Sequence, residues 1–190
     1  MSNESAGNME LSTITDDQAA LLSAVLRYWD NEYSSLGQDF PWFAPIQRPD
    51  GTLIFGIYNQ VGYTVRALPD GYELIESIPR EGDQPSLFYS RYEDIAKAAA
   101  FIVGNMFRRT SGLAPLDNWR DSVADGVQRT PINGDWDRYV LARDPGACYV
   151  GGHVSGVPFS RALTMTIDEF NEALRSDPGR RTQRSPQGAN

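Results

Sequence analysis

Three times the chain sets a hydroxyl residue, two spacers and a Glu or Gln at the head of an amphipathic run: Thr15 to Gln18, Ser90 to Glu93 and Thr166 to Glu169. At that spacing the first side chain accepts from a free amide of a helix N-terminus while the fourth reaches back to the cap. Three capping boxes predict three helices. The first carries Leu22, Val25, Leu26, Trp29 and Tyr33 on one stripe and stops near Gly37; the second carries Ile95, Ala98, Ala99, Ile102, Val103, Met106 and Phe107. Arg108, Arg109 and Gly112 close the second helix, cations suiting its negative end and glycine its stop. The third is short, with Ile167, Phe170 and Leu174.

What lies between the boxes reads as strand and turn. Pro-Asp-Gly occurs at 49–51 and within Leu68 to Gly71, where Pro presets the first turn angle and Gly accepts positive φ. Strands follow over Thr52 to Tyr58, Val61 to Leu68 and Tyr72 to Ile78. Val61, Tyr63, Val65 and Ala67 alternate against Gly62, Thr64 and Arg66, the period of a sheet with one wet face. A brief strand at Ser86 to Ser90 precedes the second helix. Gln38 to Arg48, with two prolines and three aromatics, reads as an irregular segment laid against the domain. Leu113 to Asp135 reads as a polar connector with one helical turn around Asp117 to Ala124 and a turn at Asn133-Gly134. Strands resume at Trp136 to Ala142 and Ala147 to Val150, joined by Asp144-Pro145-Gly146, and again at Ala162 to Thr166. The expected fold is α+β: an antiparallel meander sheet covered by a long helix, with further antiparallel strands and a short C-terminal helix. Strand-helix-strand alternation and solenoid periods are absent, which disfavours parallel architectures and repeats. Residues 14–175 are expected to form one domain, flanked by disordered tails at 1–13 and 176–190 whose composition cannot repay the entropy of ordering.

A chain of 190 residues, 41% hydrophobic, can bury a proper core, and a net charge of -8 repels phosphate backbones and anionic lipid while attracting basic protein surfaces. Nucleic acid and membrane are therefore not the expected partners. Sixteen of the seventeen basic residues are Arg, which fits either a need for bidentate contacts or, more simply, GC-rich codons. The single cysteine, Cys148, has no internal disulfide partner and sits in a strand pattern. The N-terminus has neither a basic region nor an apolar block, and no stretch approaches membrane-spanning length, so a cytoplasmic protein is the default.

Catalytic residue types are scarce. The only histidine, His153, lies in Gly151-Gly152-His153-Val154-Ser155-Gly156, two residues from Ser155 and close in sequence to Cys148, with no nucleophile signature around either. An enzyme built on His153 and a nearby carboxylate ranks last among the readings, and no metal or cofactor is expected. The glycine-rich stretch lacks the Lys-Ser/Thr ending of a phosphate loop and the spacing of a dinucleotide loop. It reads as a flexible loop, narrow enough to enter another protein's cleft. Glu73 with Glu76, Asp135 with Asp137, and Asp168 with Glu169 resemble acid-base pairs, but each has a plainer account: opposite strand faces, a turn, and a first helical turn. Asp39 to Phe43, with Trp42, is either an interface anchor or a segment docked on its own core.

The block from Gly62-Tyr63-Thr64-Val65-Arg66-Ala67 through the strand at Gly71 and the helix at Ser90 to its exit resembles an actinobacterial immunity-protein family. That exit reads Gly104-Asn105-Met106-Phe107-Arg108-Arg109 and Gly112-Leu113-Ala114-Pro115-Leu116. The family includes the antitoxin of the tuberculosis necrotizing toxin, and the likeness covers roughly residues 50–116. The resemblance implies a cytoplasmic protein without enzymatic activity that binds a secreted NAD-hydrolysing toxin domain one-to-one and blocks its active site, with no cofactor. The candidate contact residues are Gly151, Gly152, His153, Ser155 and Gly156, and Asp39, Trp42 and Phe43. The alternative is a non-enzymatic secretion chaperone or protein-binding adaptor.

Overall fold

The structure, a computed structural model, describes residues 13–114, 116 and 119–176, without the side chains of residues 153–155. The expected tails at 1–13 and 176–190 fall outside it except for Thr13 and Ser176. So do Asp117 and Asn118 of the expected helical turn.

Helix α1 (Asp16–Ser35) begins in a complete capping box: the Thr15 amide donates to Gln18 Oε1 at 2.9 Å and the Gln18 amide to Thr15 Oγ1 at 3.3 Å. Gln18 Nε2 also donates to the Tyr72 hydroxyl at 2.6 Å, tying the start of the helix to the sheet. The helix ends before Gly37, whose φ of +67° reverses the chain. Its stripe of Leu22, Val25, Leu26, Trp29 and Tyr33 is buried as expected, each such side chain worth about 1.5–3 kcal/mol of transfer free energy. Helix α4 (Ile167–Arg175) starts in a second complete box, with Thr166 and Glu169 bonded reciprocally.

The third box is not formed. Helix α2 (Tyr92–Thr110) is capped by the backbone of Arg91 without a side-chain bond, while Ser90, a bend residue, bonds to the sheet instead. The Ser90 amide donates to the Cys148 carbonyl, its hydroxyl donates to the Gly146 carbonyl at 2.6 Å, and the Cys148 amide donates back to that hydroxyl at 2.8 Å. A hydroxyl satisfied across two strands has no reason to turn toward a helix end. Arg108 and Arg109 lie in the last turn as expected, and Arg108 is 2% exposed, donating to the carbonyl oxygens of Leu174, Ser176 and Ala114.

The strands are β1 (Trp42–Gln47), β2 (Leu53–Ile57), β3 (Val61–Leu68), β4 (Gly71–Ile78), β5 (Gly82–Asp83), β6 (Leu87–Tyr89), β7 (Val127–Asn133), β8 (Trp136–Leu141) and β9 (Asp144–Gly152). They form one antiparallel nine-stranded sheet in the order β1-β2-β3-β4-β6-β9-β8-β7, with β5 on β4. Two meanders, β1–β4 and β7–β9, are thus joined through the three residues of β6. The fold class is the α+β arrangement read from the sequence.

Four readings are corrected. Residues 42–47 are an edge strand, not an irregular segment: Pro45 falls at a bulge between Phe43 and Ile46, where its missing donor costs no ladder bond. The connector hides the other edge, β7, where Pro131 again meets an irregularity in register. Prolines and bulges at both edges discourage added strands. The chain reverses at Ala142-Arg143, and β9 already starts at Asp144. Residues Ser160–Thr164 form a 3-10 helix, not a strand: the Ser160 and Thr164 hydroxyls donate to the carbonyls of Val157 and Arg161, local bonds that compete with a ladder.

The core lies on one face of the sheet, where Leu53, Phe55, Tyr63, Val65, Leu74, Tyr89, Tyr139 and Tyr149 meet Trp29, Ile95, Ala99, Val103, Phe107, Phe170 and Leu174. Tyr72, Tyr89, Tyr149 and Tyr139 are successive cross-strand partners, so four tyrosines form one row, with Tyr149 and Tyr139 rings 4.7 Å apart.

Candidate functional site

The glycine-rich stretch is not a flexible loop. Gly151 and Gly152 finish β9, paired with Asp137 and Trp136, and the chain passes at once into a short helix, α3 (His153–Phe159). Gly156 is buried in that helix, and the Tyr149 hydroxyl donates to its carbonyl. A Cβ at Gly156 would lie 2.5 Å from Tyr139 Cε2, so this glycine serves close packing, not insertion into a partner. Gly151 is buried too. The backbones of His153 and Ser155 lie in α3; their side chains are outside the described residues.

The aromatic segment divides between the two faces. Trp42 is 6% exposed and packs its ring against Tyr63 and Phe55 at 5.9 and 6.2 Å, docking on its own core. Phe43 points to the other face, and Asp39 is exposed. The bulge decides what joins Phe43. Residues 43 and 46 would face opposite ways on a regular strand, but the shift in register pairs Phe43 with Gly56 and Ile46 with Ile54, putting both on the outer face. Tyr58, at the β2–β3 turn, packs its ring tilted against Phe43 with ring centroids 5.0 Å apart. Phe43, Ile46, Ile54 and Tyr58 form an open apolar hollow rimmed by Arg48, and Tyr58 and Ile46 are 71% and 51% exposed. Toward β4 this face is bounded by buried Ile75, which pairs with Thr64, and by the 2.9 Å ion pair of Arg66 with Glu73.

The three acidic pairs have structural duties. Glu73 engages Arg66 and Glu76 accepts from the Tyr63 hydroxyl at 2.8 Å. Asp137, 3% exposed, pairs with Arg129 at 2.9 Å while Asp135 sits exposed beside the turn. Glu169 accepts from the amide and hydroxyl of Thr166, which hold its carboxyl below the usual range. Cys148 is buried on β9, with Arg138 Nη2 donating toward its sulfur. Among the described residues no group of three or more His, Cys, Asp or Glu is placed to hold a metal, and no helix is long and apolar enough to cross a membrane. Sequence reasoning missed Ile46 and Tyr58, because a bulge conceals the face of the first and a turn residue carries no periodicity to reveal the second.

No family model matches the chain, and no curated protein does. Among solved structures it is similar to Rv3902c from M. tuberculosis, with a TM-score of 0.62 and 13% identity over 89% of this chain and 92% of that one. That likeness is one of fold.

Proposed function

We propose that this protein is an immunity protein that captures a toxin domain on the outer face of β1–β3 and thereby occludes the toxin's active site. The observation that carries the protein-binding reading is the exposed Tyr58 and Ile46 packed around half-buried Phe43: large apolar groups on a face that no described helix covers. Contiguous exposed apolar surface of this kind marks protein contact sites, and aromatic side chains are the usual energetic anchors. Contact would be face-on, since Pro45 and the bulge interrupt the edge along which a partner strand would pair. The toxin class, an NAD-hydrolysing domain, rests on the resemblance of residues 50–116 to the immunity family. The net charge of -8 favours fast capture of a basic partner, and the apolar anchors slow its release.

The test is to mix the purified protein with the secreted enzymatic domain encoded beside it and follow NAD consumption and complex formation. Loss of NAD hydrolysis with a one-to-one complex supports the reading. A complex that leaves the partner's activity intact favours the adaptor alternative, and no complex with that domain removes the toxin reading.

A further inference from the structure

A second concavity lies on the opposite, helix-covered side of the sheet, and it arises from the shortness of β6. Beyond Leu87 that strand ends, and Glu76 on β4 and Gly151 on β9 line a hollow of about 310 Å3 that reaches between the sheet and α2. Its aromatic walls are Tyr63, Tyr89, Tyr149, Phe101 and Phe159; Ala98, Ile102 and Leu87 supply aliphatic surface. The volume falls in the range of small-ligand pockets, about 300–1,000 Å3, and apolar walls with one placed polar group are their usual make-up.

Glu76 is the charged residue among those described around it, and Lys, Arg and His are absent from that set. One carboxylate oxygen accepts from the Tyr63 hydroxyl, and none of the ion pairs found uses Glu76. Burial and this bond push the Tyr63 phenol well above its ordinary range, so it stays a neutral donor. A negative charge beside aromatic rings, whose faces attract cations, with no cation among the described residues lining the cavity, is complementary to an organic cation carrying an apolar body.

We infer that this cavity binds an alkylammonium group, its chain against Phe101, Ile102 and Phe159 and its charged head at the Glu76 carboxylate. The site is separate from the outer-face patch, and its existence does not depend on the toxin reading. Free amines and the lysine side chain of a peptide share this chemistry.

The test titrates the full chain with n-hexylammonium, its neutral counterpart n-hexanol, and N-acetyl-lysine methylamide, followed by calorimetry and tyrosine fluorescence. The ammonium compounds should bind more tightly than hexanol. Glu76→Gln, which keeps an acceptor for Tyr63, should weaken ammonium binding roughly tenfold while leaving hexanol unchanged. Ile102→Trp, filling the cavity from a partly buried position, should abolish binding of all three without lowering the melting temperature by more than a few degrees. Binding of hexylammonium alone assigns the site to free amines; binding of the capped lysine assigns it to a protein side chain. Equal affinity for hexylammonium and hexanol, indifference to Glu76→Gln, or no binding of either ammonium compound overturns the inference.

Discussion

Gly104 of α2 lies against the indole of Trp29 on α1: a Cβ at this position would stand 2.9 Å from Trp29 Cζ2 and 3.0 Å from Leu174 Cδ1 of α4. Three helices converge where one side chain is missing. Gly→Ala inside a helix ordinarily gains about 1 kcal/mol. Here the indole is fully buried and cannot yield, and overpacking a core costs about 1–3 kcal/mol. Gly104→Ala should therefore destabilise by about 1 kcal/mol net, read as a lower urea midpoint at unchanged slope.

Ser90 provides a test of opposite design. Were it a helix cap, Asp would replace it without loss, because Asp caps as well as Ser. As a splint between strands its hydroxyl must both donate to the Gly146 carbonyl and accept from the Cys148 amide, and a carboxylate cannot donate. Ser90→Asp should cost about 2 kcal/mol or more, and Ser90→Ala about 1 kcal/mol. By contrast Thr166→Ala, at a true capping box, should lose about 1 kcal/mol, and Thr166→Asp should recover only part of that, since its carboxylate caps the helix but gives up the hydroxyl's bond to Glu169.

The buried tyrosines set an alkaline limit. Burial pushes the Tyr139 phenol up to about 12, with Asp137 adding to the shift, and raises Tyr63, Tyr89, Tyr92 and Tyr149 further. In the unfolded chain these groups ionise near pH 10. Their contribution is fully present below about pH 10 and is lost as pH rises toward the folded values, because the unfolded state sheds protons that the folded state keeps. Stability should fall steeply above about pH 10, and phenolate absorbance of these residues should appear together with loss of near-ultraviolet dichroism. Phenolate growth complete before unfolding would contradict the burial.

The parts of this fold legible in the sequence were those written in local code. Thr15 and Thr166 cap because nothing else competes for their hydroxyls, and Val61 to Leu68 alternates because one face is buried and the other is not. Ser90 misled because the same motif fits a strand end whose partner, Cys148, lies far along the chain. Strand β7 went unseen because it is an edge with exposed polar residues, held by pairing with β8 and not by burial. Pairing of that kind leaves no period to read. Gly151 to Gly156 looked like a loop because glycine spacing marks freedom and close packing alike, and only the Tyr139 ring beside Gly156 tells them apart. The outer-face patch needed the bulge at Pro45, a deviation from the period on which sequence reading depends.

Arg108 carries the junction of α2, α4 and the segment after α2. Its guanidinium satisfies carbonyls of Leu174, Ser176 and Ala114, at 2.7 Å for the first, from a site shut off from water. Arg108→Met leaves those acceptors unpaired and should cost about 3 kcal/mol or more. Arg108→Lys should recover little, because one ammonium cannot reach carbonyls that a planar fork spans. Hydrogen exchange should show faster opening of α4 in both variants, ahead of global unfolding.

Phe43 and Tyr58 separate binding from folding. Both lie outside the core cluster, so Phe43→Asp and Tyr58→Asp should leave the melting temperature within a few degrees of the parent. Trp42→Ala, one residue away but buried against Tyr63 and Phe55, should cost about 3–5 kcal/mol of stability. If the outer face holds the toxin, each aspartate variant should weaken the complex by about 2 kcal/mol, or roughly thirtyfold. The change should appear in the dissociation rate, since an apolar anchor resists release while the net charge of -8, which steers encounter, shifts by a single unit. Unchanged dissociation in both variants would move the interface off this face even if the complex itself is real.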